Sequence, residues 1–91
     1  MTIYTWDEAK RKSNLRKHGL DFIDAHTIIE RSSYIVEDTR YLYSERRYDA
    51  YGFLYADIVR VTFTERNYGV RIISFRKATR REALKLLGGS R

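Results

Sequence analysis

The sequence predicts an α+β fold: a short N-terminal strand, two helices, a three- to four-stranded antiparallel sheet and a C-terminal helix, with the helices on one face of the sheet. Three observations carry this. Apolar residues between positions 22 and 29 recur at helical spacing. From 33 to 77 the chain turns to β-branched and aromatic runs divided by short links. Threonine-x-x-glutamate patterns mark a helix start near each end.

Taken in order, "TIYTW" (2–6) suits a strand, and Thr5 with Glu8 forms a capping box that opens a helix over 6–17. That helix is polar. Trp6, Ala9 and Leu15 stand against Lys10, Arg11, Lys12, Arg16 and Lys17, so it meets a core along one narrow stripe, with Trp6 as the anchor. Gly19 supplies the residue that ends it. Asp21 caps a second helix over 21–31, in which Phe22, Ala25, Ile28 and Ile29 form a buried stripe. "SYIVED" (33–38), "RRYDAYGFLY" (46–55), "DIVRVTFTE" (57–65) and "GVRIISFRK" (69–77) are strands, and the links at 55–57 and 66–69 are short enough for hairpins. "VRIISF" is apolar on both faces, with Val70 and Ile72 on one and Ile73 and Phe75 on the other, as in a strand near the middle of a sheet. Thr79 and Glu82 open the last helix, which carries Ala83, Leu84 and Leu87 toward the core before Gly88 and Gly89 end it.

Ninety-one residues without proline or a Ser/Gly linker predict one domain over 1–91. The absence of cysteine excludes a disulfide scaffold, a thiolate metal site and a cysteine nucleophile. Neither a run of 18 apolar residues nor a signal-peptide pattern is present, which predicts a cytoplasmic protein with no membrane association. Charge is segregated along the chain. Residues 1–18 carry five basic and two acidic groups, 19–65 five and nine, and 66–91 eight and one. If the first helix and the last third share one side, that side suits RNA or DNA. An acidic protein partner or a merely solvated basic face are the other readings.

No phosphate-binding glycine loop, Rossmann pattern, serine elbow or metal-spaced ligand cluster occurs, so neither metal nor cofactor is expected. The chemistry left to Arg, Lys, His, Glu, Asp and Tyr includes metal-free RNA cleavage, because RNA carries its own nucleophile. The 2′-hydroxyl attacks the adjacent phosphorus once a base takes its proton, cations neutralise the phosphorane and an acid protonates the departing 5′-oxygen. Arg71, Arg76 and Lys77 on the last strand, with Arg80 and Arg81 at the start of the last helix, are the phosphate candidates. In a regular strand Arg71 and Arg76, five apart, point to opposite faces, so that one serves the ligand and the other pairs with Glu65 or Glu82. Glu65 is either a base or an arginine's partner. His18 either closes a helix or takes part in function. "RYLYSERRYDAYGFLY" (40–55) interleaves tyrosines with Arg40, Arg46 and Arg47, fit either to stack bases or to sit half-buried in strands.

"YTWDEAKRKSNLRKHGLDF" resembles the opening of BrnT-type toxins, at Trp6, Asp7, Lys10, Asn14, Lys17, His18, Gly19 and Phe22. "YSERRYDAYG" is similar at Glu45, Arg46 and Gly52, and "TERNYGVRIISFRKATRRE" at Glu65, Arg71, Ile72, Ile73, Ser74, Arg76, Ala78 and Glu82. The resemblance runs in order through nearly the whole chain. It implies a RelE-like fold and the toxin of a type II toxin–antitoxin system, a ribonuclease that cuts RNA without a metal and blocks translation. It implies as partner a BrnA-like antitoxin of the ribbon-helix-helix type, with which the toxin represses their operon and through which alone it meets operator DNA. His18, Glu65, Arg71 and Arg76 become the catalytic candidates, and Lys10, Lys17, Lys77, Arg80 and Arg81 the RNA-binding ones. One departure stands out: relatives often carry Glu-Arg-x-x-Tyr in the last helix, whereas here "ALKLL" follows Glu82. The alternative function is a non-catalytic basic module that binds nucleic acid or a protein.

Overall fold

The computed structural model describes residues 1–40, 42 and 44–88. Among them lie the strands β1 (Ile3–Thr5), β2 (Tyr34–Glu37), β3 (Tyr48–Leu54), β4 (Asp57–Arg66) and β5 (Gly69–Lys77). The helices are α1 (Glu8–His18), α2 (Ala25–Arg31), which follows a 3₁₀ turn at Phe22–Asp24, and α3 (Arg80–Leu86). The fold is α+β, with one five-stranded sheet in the order β1-β5-β4-β3-β2. β2 to β5 form the expected antiparallel meander. The sheet gains a fifth strand because β1 lies parallel beside β5, pairing Ile3 with Gly69 and Thr5 with Arg71. Gly69 makes that approach possible: its φ is 149°, and a Cβ there would overlap the Ile3 carbonyl. Among the described residues no helix is long and apolar enough to cross a membrane.

The core lies between one face of the sheet and the first helical layer. Val59, Val61 and Phe63 of β4, and Val70, Ile72 and Phe75 of β5, meet Phe22, Ala25 and Ile28. Trp6 packs against this cluster half-buried, as its anchoring role predicts. Each fully buried Phe or Val contributes on the order of 1.5–3 kcal/mol through loss of water contact.

The first helix starts differently from the expectation. Thr5 is committed to β1, with its hydroxyl 2.8 Å from that of Tyr68, and the cap is Asp7, whose carboxylate accepts from the Lys10 N–H at 3.1 Å. Gly19, at φ 72°, ends α1, and its N–H donates to the Leu15 carbonyl at 2.8 Å. The buried Asn14 secures the helix. Its amide donates to the Phe75 carbonyl at 2.7 Å and accepts from the Phe75 N–H at 3.2 Å. β1 flanks β5 only as far as Arg71, so Asn14 supplies farther along the edge what another strand would. α1 and β5 thereby share one side of the molecule, bringing the basic first and last segments together.

A bulge in β5 alters the expected facing. Thr62 pairs with Ser74 but Phe63 with Ile72, so Ile73 is an extra residue. The shift returns Phe75 to the core face alongside Val70 and Ile72, whereas strict alternation sends it to the other face. It also puts Arg71 and Arg76 on one face, not opposite ones, since they pair with Thr64 and Arg60 of the same β4 face. α3 crosses this second face. Its capping box is as predicted, with Glu82 N–H to Thr79 Oγ1 at 3.2 Å and Thr79 N–H to Glu82 Oε1 at 2.8 Å. Its leucines do not enter the core: Leu84 and Leu87 are 50% and 65% exposed. α3 instead docks through polar contacts to the arginines beneath it.

Candidate functional site

The face opposite the core carries a cleft of about 480 Å³ between the sheet and α3. The bulge sets Arg76 beside Arg60, and both turn toward Glu82 from the first turn of α3. Arg76 grips that carboxylate with both terminal nitrogens, at 3.0 and 3.1 Å, and Arg60 reaches it at 3.3 Å. Arg60 is 5% exposed and is met from below by Asp49 at 2.8 Å, which also accepts from Thr62 Oγ1 at 2.7 Å. Asp38, also buried, lies 3.7 Å from Arg60 and is held by Arg40 at 3.0 Å. The cleft floor is thus a chain of alternating charges, each compensated by a hydrogen-bonded neighbour, as burial of ions requires.

Burial acts to raise the Glu82 pKa. The Arg76 hydrogen bonds, the Thr79 N–H and the charges of Arg76 and Arg60 outweigh it and hold the carboxyl at about 2. Burial opposes the charge on Arg60 as well, but the bond to Asp49 and the nearby carboxylates leave its pKa raised. Tyr51, on the same face, is pushed up to about 12 by burial and by Glu82 and Asp49. Tyr34 stands beside it, ring centroids 5.7 Å apart, and both line the cleft with Arg81 and Lys85. The site therefore offers a double-headed guanidinium grip, a protonated phenol and a partly exposed aromatic, with further cations at its rim.

A protein-family profile described as "Ribonuclease toxin, BrnT, of type II toxin-antitoxin system" matches residues 6–82 of the 91. The chain belongs to the BrnT family of ribonuclease toxins. As the toxin of a type II system it has a cognate antitoxin as partner. A search of curated proteins finds no match to the chain.

In this BrnT-family chain the residues singled out from sequence fall into three groups. Arg71 and Arg76 share the cleft face, and the Arg71 guanidinium makes no hydrogen bond or ion pair to any described residue. Arg81 lines the cleft, Arg80 is exposed at the start of α3, and Lys77 lies 3.5 Å from Asp57. Lys10 and Lys17 are exposed on α1. His18 is half-buried at the end of α1, and no hydrogen bond joins it to Arg71 or Arg76. Glu65 pairs across from Val70, which faces the core, so it leaves the sheet on the side away from both arginines; Arg76's carboxylate partner is Glu82.

Of the tyrosines in 40–55, Tyr41 and Tyr43 lie outside the described residues. Tyr48 stacks on Phe63 at 5.7 Å, Tyr51 lines the cleft and Tyr55 is exposed. Sequence reading missed Arg60, Asp49 and Asp38. Arg60 did leave a signal, as a cation between Val59 and Val61 in a strand otherwise fit for burial. The two aspartates left none, since their partners are supplied by the fold.

Proposed function

We propose that the cleft under α3 is where this toxin cuts RNA endonucleolytically, without a metal, through the 2′-hydroxyl. One observation carries the reading: two guanidinium groups from adjacent strands converge on one carboxylate at the mouth of a groove. A scissile phosphate entering there takes hydrogen bonds from Arg76, and these strengthen as charge accumulates on the phosphorane. Arg71 meets a neighbouring phosphate along the same face. Lys77, Arg80 and Arg81, with Lys10 and Lys17 of α1, extend the basic path on which the strand lies. Tyr34 and Tyr51 offer stacking for an unpaired base, and so supply within the cleft the aromatic that relatives carry on the last helix.

Glu82 is ionised at neutral pH and engaged by both arginines, which suits holding them in place better than taking a proton. Tyr51 remains a donor throughout the physiological range. His18, half-buried at the end of α1, is the candidate for proton transfer, and Glu65, on the other side of the sheet, is read as a surface carboxylate. The antitoxin is read as a ribbon-helix-helix protein that joins the toxin in repressing their operon in the cytoplasm, on the resemblance alone.

The chemistry is tested with an oligonucleotide carrying one ribonucleotide among deoxyribonucleotides, incubated in EDTA. The expected result is a single cut leaving a 2′,3′-cyclic phosphate, with the all-deoxy strand bound and uncut. Cleavage of the all-deoxy strand, or loss of cleavage in EDTA, contradicts the 2′-hydroxyl route without metal. Retention of RNA with no change in its length supports the non-catalytic alternative.

A further inference from the structure

β3 outruns its neighbour. β2 pairs with it from Tyr48 to Tyr51, so Gly52, Phe53 and Leu54 have β4 on one side and, among the described residues, no strand on the other. The Asp38 N–H donates to the Arg47 carbonyl at 2.8 Å. Counting by twos along an antiparallel ladder, residues 49, 51 and 53 turn their backbone groups to the same side. Ser32 Oγ takes the Tyr51 carbonyl at 2.6 Å, and the Phe53 N–H and C=O come next, facing an open edge.

A groove of about 590 Å³ lies along this edge, between the end of α2 and Leu86 and Leu87 at the end of α3. Arg31 is the one charged side chain among its described lining residues. Phe53 and Tyr55 line it while 64% and 96% exposed, and Tyr55 holds a φ of 56°, costly for a bulky side chain. An unpaired strand edge, apolar walls and a strained exposed aromatic in one place mark an interaction surface. The backbone donor and acceptor select an extended segment, the walls select apolar side chains, and Arg31 selects a carboxylate. A second copy of this chain fits poorly, because each copy carries a net charge of +6.

We infer that the antitoxin docks here, laying an extended apolar and acidic segment along β3 in line with β2. The inference rests on the family's antitoxin partnership and not on where RNA is cut. α3 walls both grooves, so a segment seated on Leu86 and Leu87 bears on the helix that carries Glu82.

The test uses the full-length toxin and the small protein encoded beside it, purified separately. Hydrogen exchange is followed with and without that protein, and affinity is compared for wild type, Arg31→Glu and Phe53→Glu, each checked for a wild-type melting transition. Expected are slowed exchange of the Phe53 amide in the complex, at least tenfold weaker binding by each variant, and RNA cleavage by both variants as in wild type. Wild-type affinity in both variants, or protection confined to the cleft around Arg76, overturns the docking site and leaves the family partnership standing. Protection of Phe53 that rises with toxin concentration alone makes the occupant a second copy and overturns the proposal. Failure of the wild-type toxin to bind the neighbouring protein overturns it together with the partnership on which it rests.

Discussion

Glu82 ties α3 to the sheet, and its ionisation sets how the fold responds to acid. In the unfolded chain its carboxyl titrates near 4.5, and in the folded chain at about 2. The stability it adds is therefore complete above about pH 4.5 and is lost as pH falls toward 2. Replacing Glu82 with Gln is expected to cost about 1–3 kcal/mol at pH 7, because Arg60 then keeps its burial with less compensation. The same variant loses less stability than wild type between pH 5 and 2, as denaturant unfolding at the two pH values reads directly; equal losses contradict the pairing. Asn14 is the corresponding residue on the other side of the molecule. Asn14→Ala leaves the Phe75 N–H and C=O without their partner and is expected to lower stability by about 1–3 kcal/mol, measured by urea unfolding. The role of Asn14 was not legible beforehand, since it sits in a polar helix and finds its partner 61 positions away. Glu82 showed its capping pattern and stood with Glu65 as an expected partner for Arg71 or Arg76; that it pairs with Arg76, and that Arg60 joins them, came only with the fold.

At the scale of elements, the strand runs, the third helix start and the Gly19 stop were legible because each is written locally: β-branched runs, a capping side chain, a glycine after the last turn. The second helix starts later than expected, because Asp21 caps the 3₁₀ turn Phe22–Asp24 and α2 begins at Ala25 without a side-chain cap. The facing of β5 was not. "VRIISF" is apolar at both parities, so nothing in it marks Ile73 as the extra residue, and strict alternation separates Arg71 from Arg76. The bulge, set by pairing with β4, reunites them and so creates the candidate site. The fate of α3 was hidden for a similar reason: leucines at helical spacing describe a stripe but not whether a surface waits for it. β1 depends on a close approach that only glycine permits. Gly69→Ala is expected to detach β1 and destabilise the protein by at least about 2 kcal/mol, seen as a lower melting temperature and faster amide exchange across Ile3–Thr5. Unchanged exchange there contradicts the close contact.

For the molecule as a whole, the segregation of charge in the sequence leaves exposed lysines and arginines on α1, at the end of β5 and on α3, while Arg60 and Arg76 in the cleft are paired with carboxylates. In the proposed function, long-range attraction of RNA comes from the exposed lysines and arginines, and local recognition from the paired arginines. Binding of uncut, 2′-deoxy-substituted single strands is expected to weaken steeply with salt, by about three log units per tenfold increase if four or five phosphates are contacted. A flat salt response contradicts a basic RNA path. The proposed action of Arg76 at the scissile phosphate is tested by timing RNA cleavage in EDTA for wild type and Arg76→Ala, both confirmed folded by their melting transitions. Wild type is expected to cut and Arg76→Ala to be slower by about 10²–10³-fold, the usual cost of removing a group that stabilises the transition-state charge. Cleavage by Arg76→Ala at the wild-type rate would contradict the account.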